Sequence, residues 1–371
     1  MQLRDLHRQY ETLKPEMDEA ILAAIAAGTH IMGPQVAELE QDLTEYVGVK
    51  HCIACGNGTD ALRMALMVWG IGSGDAVFVP DFTFFASAEV VALHGATPIF
   101  VDVCSEDYNI DPDDLLEKIA YVENHTDLRP AAVIAVDLFG QPADYIDIEP
   151  ICRAHNMFIL EDGAQGFGGA IGATKACSFG DIAITSFFPA KPLGCYGDGG
   201  ALFTNNDEWA AMLRSLRMHG KGTDKYDNVR YGLNSRLDAV QAAVLQVKLR
   251  HFDDELKAVN HVAGYYTDLL RGKVTIPLLP PAVTSSWAQY TIQSTERDAI
   301  QQSLREAGIQ SMVYYPRTMS RQTAFSSIRH LQQPCTVAER LTQTVLSIPM
   351  GPYITEKEIE TVVSVILRNA K

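Results

Sequence analysis

Short apolar runs alternate with stretches of helical periodicity over the first two thirds of the chain. The runs that predict strands cover residues 51–55, 76–80, 97–103, 131–140, 157–162, 182–188 and 201–204. The stretches that predict helices cover residues 16–27, 34–46, 87–94, 147–155, 208–217 and 236–259, together with a helix that enters from the turn at 56–60 and stops at Gly70. This alternation predicts an α/β fold with a mostly parallel sheet covered by helices on both faces. Active sites in such sheets lie beyond the carboxyl ends of the strands.

The pattern changes after about residue 250. Strand-like segments at 274–277 and 287–293 are followed by helical stretches at 297–307 and 356–369. We therefore expect two domains: residues 1–250 form a large domain with an N-terminal helical segment, and residues 251–371 form a smaller C-terminal α+β domain.

Composition and charge exclude several classes of protein. The chain has 371 residues, of which 47% are hydrophobic, so it can bury a large core. Its net charge of −16 argues against a nucleic-acid partner. The charged N-terminus lacks the apolar core of a signal peptide, and no apolar run approaches a membrane span. We expect a cytoplasmic protein.

Seven cysteines are scattered without the spacing of a disulfide framework. Cys52 and Cys55 form a CxxC motif, but they lie in a predicted buried strand rather than before a helix. Buried structural thiols are therefore favoured over a redox pair, and no second pair is present to complete a zinc site. We expect no metal site.

Lys191 follows an apolar strand and enters a loop rich in proline and glycine, FPAKPLGCYGDGG. Desolvation lowers the pKa of a lysine and makes its amine a nucleophile toward carbonyls, which is the chemistry of pyridoxal phosphate (PLP) enzymes. A surface lysine in a turn is the commoner interpretation of such a residue taken alone.

Two further features suit the phosphate of that cofactor. The GNGTD turn at 56–60 opens a helix, whose free N–H groups and positive dipole end favour an anion, and Thr59 adds a hydroxyl. Ser186 lies five residues before Lys191 and supplies a second hydroxyl. Each feature alone is more often a plain turn or a surface serine.

Two other features suit the cofactor's ring. Asp162 ends the strand at 157–162, where it either pairs with a protonated pyridine nitrogen or caps a loop; Gln165 lies three residues further on. The aromatic segment at 82–85 is either core or a stacking platform. A single cofactor accounts for all of these features together, because it needs a phosphate anchor, a ring platform, a carboxylate and a lysine.

Nine segments carry a resemblance to a known family. They are GNGTDAL (56–62), VPDFTFFASA (79–88), FVDV (100–103), DLFGQPAD (137–144), EDGAQGFG (161–168), SFFPAKPLGCYGDGGA (186–201), RMHG (217–220), YGLNSRLDAVQAA (231–243) and SWAQYTI (286–292). With these segments the chain resembles the sugar aminotransferases of the DegT/DnrJ/EryC1/StrS family. The resemblance implies the aspartate-aminotransferase fold, PLP fold type I, with residues 1–250 as the PLP-binding domain.

The resemblance also implies a role for each candidate residue. Lys191 forms the Schiff base with PLP and moves the proton between cofactor and substrate carbons. The cofactor-binding residues are Gly58, Thr59 and Ser186 for the phosphate, Phe84 for stacking on the ring, Asp162 for the pyridine nitrogen and Gln165 for the phenolic oxygen. Asn234 contacts the phosphate of the cofactor that is bound by the neighbouring subunit. The shared site implies a homodimer. Asn234 has an alternative role as the cap of the following helix.

The resemblance is greatest to enzymes that aminate the 3-keto carbon of a UDP-linked 2-acetamido-2-deoxy hexuronic acid with L-glutamate, for lipopolysaccharide or other surface polysaccharides. Two positions depart from the family, in which histidine is common: Ser320 in YYPRTMSRQTAF and Gly351 in PMGPY. Tyr315 and Arg317 are candidate contacts of the sugar or its diphosphate, although Arg317 is equally a surface residue. The alternatives are a dTDP- or UDP-linked 4-keto or 3-keto-6-deoxy sugar as substrate, a non-sugar carbocycle, and a non-catalytic binding or regulatory protein.

Overall fold

The computed structural model describes residues 1–224 and 226–368. Its strands are β1 (His51–Cys55), β2 (Asp75–Pro80), β3 (Thr97–Val101), β4 (Arg129–Val136), β5 (Phe158–Asp162), β6 (Ala170–Ile171), β7 (Thr174–Lys175), β8 (Ile182–Ser186), β9 (Gly200–Thr204), β10 (Val283–Thr284), β11 (Tyr290–Gln293) and β12 (Val345–Ile348). The α-helices are α1 (Leu6–Ala26), α2 (Pro34–Val47), α3 (Gly58–Trp69), α4 (Phe85–Leu93), α5 (Pro112–His125), α6 (Tyr145–Ala154), α7 (Asp207–Leu216), α8 (Ala239–Leu270), α9 (Arg297–Glu306), α10 (Thr336–Thr344) and α11 (Glu356–Leu367).

A seven-stranded sheet in the order β1-β9-β8-β5-β4-β2-β3 forms the centre of the fold. Strands β3, β2, β4, β5 and β8 are paired in parallel, and β9 runs antiparallel to both of its neighbours, β8 and β1. The prediction of a mostly parallel sheet is confirmed. The strands alternate with covering helices as the apolar pattern indicated, because each buried strand needs an apolar layer on both faces.

Alternate residues of β1 show how the two faces are covered. Cys52 and Ala54 pack into the core formed with α2 and α8, whereas Ile53 and Cys55 pack into the core formed with α3. The two cysteines of the CxxC motif are therefore on opposite faces of the strand, and both are buried free thiols. Burial raises the pKa of both thiols, to about 12 for Cys55, so the prediction of structural thiols is confirmed.

Two helices are longer than the apolar pattern predicted. Helix α1 begins at Leu6 rather than at residue 16, because Asp5 caps it by accepting a hydrogen bond from the Arg8 N–H and its buried stripe continues across Pro15. Helix α8 continues to Leu270, well beyond residue 259. The division at residue 250 remains a prediction, and α8 is the helix that would join the two parts.

Beyond α8, strands β11 and β12 form an antiparallel pair, and β10 joins β6 and β7 in a small sheet. The predicted strand at 274–277 is wrong: only Thr275 pairs there, in an isolated bridge to Gln293, and Pro277 cannot donate to a ladder. The closing helix α11 ends at Leu367, and the end of its predicted span, residue 369, lies outside the described residues. Across 1–224 and 226–368, none of the helices combines the length and apolarity needed to cross a bilayer.

Candidate active site

Neighbouring parallel strands bring the two most important candidate segments to one edge of the sheet. Asp162 is the last residue of β5 and Ser186 is the last residue of β8, and the two strands pair with Asp162 opposite Ile184. Lys191 follows β8 in the next loop, where its N–H donates to the Phe188 carbonyl oxygen at 2.8 Å. The candidate lysine and carboxylate therefore lie at the carboxyl edge, where parallel sheets place their sites.

Lys191 is partly buried beside Asp162. Burial lowers the pKa of the Lys191 ammonium, and the negative charge of Asp162 opposes that shift. Within the part of the chain that the structure describes, the side-chain amine makes no hydrogen bond. An amine with a lowered pKa and no fixed partner is available to react with a carbonyl.

Asp162 is almost fully buried, at 4% exposure. Its Oδ2 accepts a hydrogen bond from Ser87 Oγ at 2.8 Å, and its Oδ1 accepts one from the Ala164 N–H at 3.2 Å. Burial raises the pKa of Asp162, while the bond from Ser87 and the charge of Lys191 lower it. Asp162 therefore does cap the loop that follows β5. A second cation, such as a protonated ring nitrogen, would compensate the charge of this buried carboxylate further.

Gly58 and Ser186 face each other across a narrow gap at the start of α3. A Cβ atom added to Gly58 would lie 2.9 Å from Ser186 Cβ, so the position needs a glycine. Asn57 caps the helix by accepting from the Asp60 N–H at 2.8 Å. Among the described residues, no acceptor is paired with the N–H groups of Gly58 and Thr59. These free N–H groups, with the hydroxyls of Thr59 and Ser186, fit a phosphate.

Gln165 connects this edge to a loop from the C-terminal part of the chain. Its Oε1 accepts from the Phe139 N–H at 2.8 Å, and its Nε2 donates to Tyr315 Oη at 3.3 Å. Phe84 is 55% exposed, and its ring centroid lies 6.4 Å from that of Tyr315. An exposed aromatic ring beside partly buried polar groups suits the stacking role predicted for Phe84.

Two candidate residues, Asn234 and Arg317, make no hydrogen bond or ion pair with this cluster within the described residues. Asn234 is exposed, and its backbone forms an isolated bridge with Met218. Its predicted alternative as a helix cap is wrong, because α8 begins after Asp238, which is the N-cap residue. Arg317 is exposed on the loop that carries Tyr315, and it has no hydrogen bond or ion pair with residues 1–224 or 226–368.

The contact between Asp81 and Ser320, which anchors that loop, was not predicted from the sequence. Asp81 follows β2 and is fully buried; its Oδ1 accepts from the Ser320 N–H at 2.6 Å and its Oδ2 from Ser320 Oγ at 2.8 Å. The Met319 N–H also donates to the Asp81 carbonyl oxygen at 2.8 Å. Burial raises the pKa of Asp81 to about 6, and the bonds from Ser320 oppose the shift. Ser320 thus anchors the segment that carries Tyr315.

We expect Ser320→Ala to loosen this segment and to raise KM for the sugar substrate by about tenfold, with kcat within about threefold. The variant loses the hydroxyl donor to a buried carboxylate but keeps the backbone donor. Steady-state kinetics with the sugar substrate varied measure the effect, and Ser364→Ala on the exposed face of α11 is the control. An unchanged KM would show that the contact does not position the loop.

A pair of buried acids lies directly behind Asp162. Asp137 and Glu161 are both fully buried, and Asp137 Oδ2 has no donor in the described structure. Glu161 accepts from the Cys177 N–H and, at 2.7 Å, from the Phe179 N–H. Burial, together with the negative charge of the other member, raises the pKa of Glu161, and burial raises that of Asp137 to about 7. We expect a shared proton to satisfy Oδ2, with Asp137 as the donor, because both oxygens of Glu161 already accept backbone N–H groups.

We expect Asp137→Asn to remove a pH dependence of stability. The folded pKa of Asp137 exceeds its unfolded value of 3.8, so the parent loses stability as the pH rises from about 4 through about 7. Asparagine donates to Glu161 as the protonated acid does, and it carries no ionisable group. Chemical denaturation between pH 5 and 8 should therefore give a flatter curve for the variant.

Glu161→Gln serves as the contrasting variant. Both carboxylate oxygens of Glu161 accept a backbone N–H, whereas the amide of glutamine has one oxygen that can accept. The substitution should cost about 1–3 kcal/mol of stability at every pH tested. A steeper pH dependence in Asp137→Asn than in the parent would contradict the shared proton.

Comparison with known proteins gives a match over almost the whole chain. The model of the DegT/DnrJ/EryC1/StrS aminotransferase family matches residues 11–367. UDP-2-acetamido-2-deoxy-3-oxo-D-glucuronate aminotransferase of Pseudomonas aeruginosa is 41% identical over 96% of this chain and 97% of its own. A pleiotropic regulatory protein of Geobacillus stearothermophilus is 39% identical over 98% and 96%. UDP-N-acetyl-3-dehydro-alpha-D-glucosamine 3-aminotransferase of Acidithiobacillus ferrooxidans is 38% identical over 98% and 96%.

Solved structures agree with this match. A DegT DnrJ EryC1 StrS aminotransferase from Brucella abortus superposes with a TM-score of 0.98 at 47% identity and covers 100% of both chains. NtdA of Bacillus subtilis, solved with the cofactor PMP bound, has a TM-score of 0.87 at 27% identity and covers 97% of this chain and 82% of its own. The fold predicted from the nine sequence segments is confirmed.

Proposed function

Since this chain belongs to the DegT/DnrJ/EryC1/StrS aminotransferase family, we propose that it transfers an amino group from L-glutamate to the 3-keto carbon of a UDP-linked 2-acetamido-2-deoxy hexuronic acid. The enzyme class and the cofactor, PLP, follow from the family and its structures. The name of the Pseudomonas aeruginosa relative supports the substrate, and that of the Acidithiobacillus ferrooxidans relative supports amination at the third carbon. The product would be an amino sugar for a surface polysaccharide, made in the cytoplasm.

The observation that carries this proposal is the partly buried Lys191 amine beside the buried Asp162 carboxylate, with unpaired N–H groups at the start of α3. These groups fit PLP: Gly58, Thr59 and Ser186 would hold the phosphate, and Asp162 the ring nitrogen. Phe84 would cover the ring and Gln165 would reach its phenolic oxygen. Bound PLP supplies an aldehyde that takes up an amino group and a ring that accepts electrons.

The chain's own residues would then orient the reactants and move protons. Lys191 would hold the aldehyde and, in its neutral form, take a proton from one substrate carbon and return it to the next, because burial favours the uncharged amine. Asp162 would stay ionised through the bond from Ser87 and keep a positive charge on the group opposite it. Tyr315, held by Gln165, and Arg317 would contact the sugar or its diphosphate.

We propose a homodimer with sites completed by Asn234 of each partner. Asn234 is exposed and does not cap α8, so its side chain is free to serve a neighbouring subunit. Sedimentation of the purified protein tests the assembly. A monomeric enzyme with full activity would refute a role for Asn234 across an interface.

The visible spectrum of the PLP-loaded protein tests the function. We expect the absorbance band of the bound cofactor to disappear with L-glutamate and to return with one keto sugar from a panel of UDP- and dTDP-linked compounds, including 4-keto sugars. The position of the new amine in the product then identifies the carbon that is aminated. Return of the band with a 4-keto sugar alone would replace the 3-keto substrate. Sugar binding without any spectral change would favour a regulatory function, which the name of the Geobacillus stearothermophilus relative records for that protein.

A further inference from the structure

A cation without a role in the chemistry described so far lies beside the loop of Lys191. Arg4 Nη2 donates to the carbonyl oxygen of Pro192, the next residue in that loop, at 3.3 Å. Lys248 makes a similar contact from the other side, with Nζ 2.7 Å from the Gly194 carbonyl oxygen. Lys248 is 2% exposed and therefore enclosed, whereas Arg4 opens onto a cavity. That cavity is lined by the first residues of the chain and by residues 349–354 and 358.

The other charged side chains around this cavity are already paired. Arg8 binds Glu358 through two nitrogen–oxygen contacts of 3.0 Å each and also donates to the Tyr353 carbonyl oxygen. Glu255 accepts from Gln9 Nε2 with both of its oxygens, at 2.9 Å, and from Tyr353 Oη at 2.6 Å. Within the described residues, Arg4 has no carboxylate at ion-pair distance. The Met1 ammonium also lines the cavity and donates to the Gly308 carbonyl oxygen, so Arg4 is the side-chain cation of this cavity without an ion pair among the described residues.

The surroundings of Arg4 make an anion favourable there. Burial lowers the pKa of Arg4, and the charge of Glu255 opposes the shift; the guanidinium is a partly buried cation. Its side chain carries five N–H donors, of which the contact with Pro192 uses one. A desolvated guanidinium with free donors binds a planar carboxylate through two parallel hydrogen bonds.

Gly351 leaves room for such a ligand. It lines the same cavity, and a Cβ atom added to it would have no neighbour within 4 Å. The cavity therefore combines open space at Gly351 with an arginine, Arg4, that has no ion pair among the described residues.

We propose that Arg4 binds a carboxylate group of a substrate next to Lys191 and thereby determines specificity. The inference rests on the proposed transamination and adds a contact to that site. The carboxylate has two possible sources, L-glutamate or the hexuronic acid of the sugar nucleotide. Both present the same planar anion to the same guanidinium, in successive halves of one reaction.

The test measures the two half-reactions separately on PLP-loaded protein by rapid mixing. The variants are Arg4→Gln, Arg4→Lys and, as a control, Arg305→Gln on the exposed surface of α9. Three substrates are compared: L-glutamate, a UDP-linked 3-keto sugar with a C6 carboxylate, and its counterpart with a hydroxymethyl group. We expect Arg4→Gln to weaken the affinity for one or both carboxylate substrates by about tenfold to a hundredfold, with partial recovery in Arg4→Lys.

The pattern of loss identifies the source of the carboxylate. A loss confined to L-glutamate assigns Arg4 to the donor, and a loss with the C6 carboxylate but not with the hydroxymethyl sugar assigns it to the acceptor. Affinities within about twofold of the parent for all three substrates would overturn the proposal. An equal loss for all three, or failure of both variants to bind PLP, would also overturn it, since Arg4 would then act only by supporting Pro192. The parent's own half-reactions report separately on the proposed function.

Discussion

Lys191→Ala is expected to lower kcat by at least about a thousandfold. The variant loses the only partly buried amine at this edge of the sheet that has a lowered pKa and no hydrogen-bond partner within the described residues. Proton transfer by a positioned side chain contributes about a hundredfold to ten-thousandfold, and attachment of the carbonyl adds to that. The phosphate cradle at Gly58 and Ser186 is untouched, so PLP should still bind.

The experiment separates loss of chemistry from loss of cofactor. Bound PLP is measured by absorbance after gel filtration, and kcat is measured with L-glutamate and the sugar that the spectral panel identifies. Lys257→Ala serves as the matched control, because Lys257 is exposed on α8 and pairs only with Asp254. Amination at the parent rate by Lys191→Ala would remove Lys191 from the mechanism.

The convergence of Asp162, Ser186 and Lys191 could be predicted from the sequence because it needs only local rules. Apolar runs identify the strands, and the carboxyl ends of parallel neighbours meet at one edge. The end of α3 was equally readable, since Gly70 ends it in a left-handed conformation with φ of 64°. The fold class then followed from segments that resemble a family, and the structural matches confirm it.

Contacts between distant parts of the chain were not predictable in this way. Ser320 reaches Asp81 across 239 positions, and Arg4 reaches Pro192 across 188, through the packing of whole helices and loops. Neither contact leaves a periodic signal in either segment. The Ser87 bond to Asp162 spans 75 positions and was also missed, although both residues lie in segments that carry the resemblance. The sequence pattern thus predicted the reactive residues but not the tertiary contacts that hold them in place.

Asp162→Ala should be the second most damaging substitution, with a fall in kcat of about a hundredfold to a few thousandfold. A group that carries a positive charge at this site would lose its buried counter-charge, and removing one partner of a buried ion pair costs about 3–5 kcal/mol. Asp162→Asn should have a similar effect on kcat while keeping the shape and one acceptor for Ser87. The two variants together separate the charge from the packing.

Ser87→Ala is the graded comparison. It leaves the Asp162 carboxylate and the bond from the Ala164 N–H in place and removes only the donor at 2.8 Å. Because that bond lowers the pKa of Asp162, its loss should raise the pKa and move the acidic limb of the kcat–pH profile upward. We expect kcat at pH 8 to fall by about tenfold or less. If Asp162→Asn keeps parent activity, the carboxylate's charge is not used in catalysis, and Asp162 serves only to fix the loop after β5.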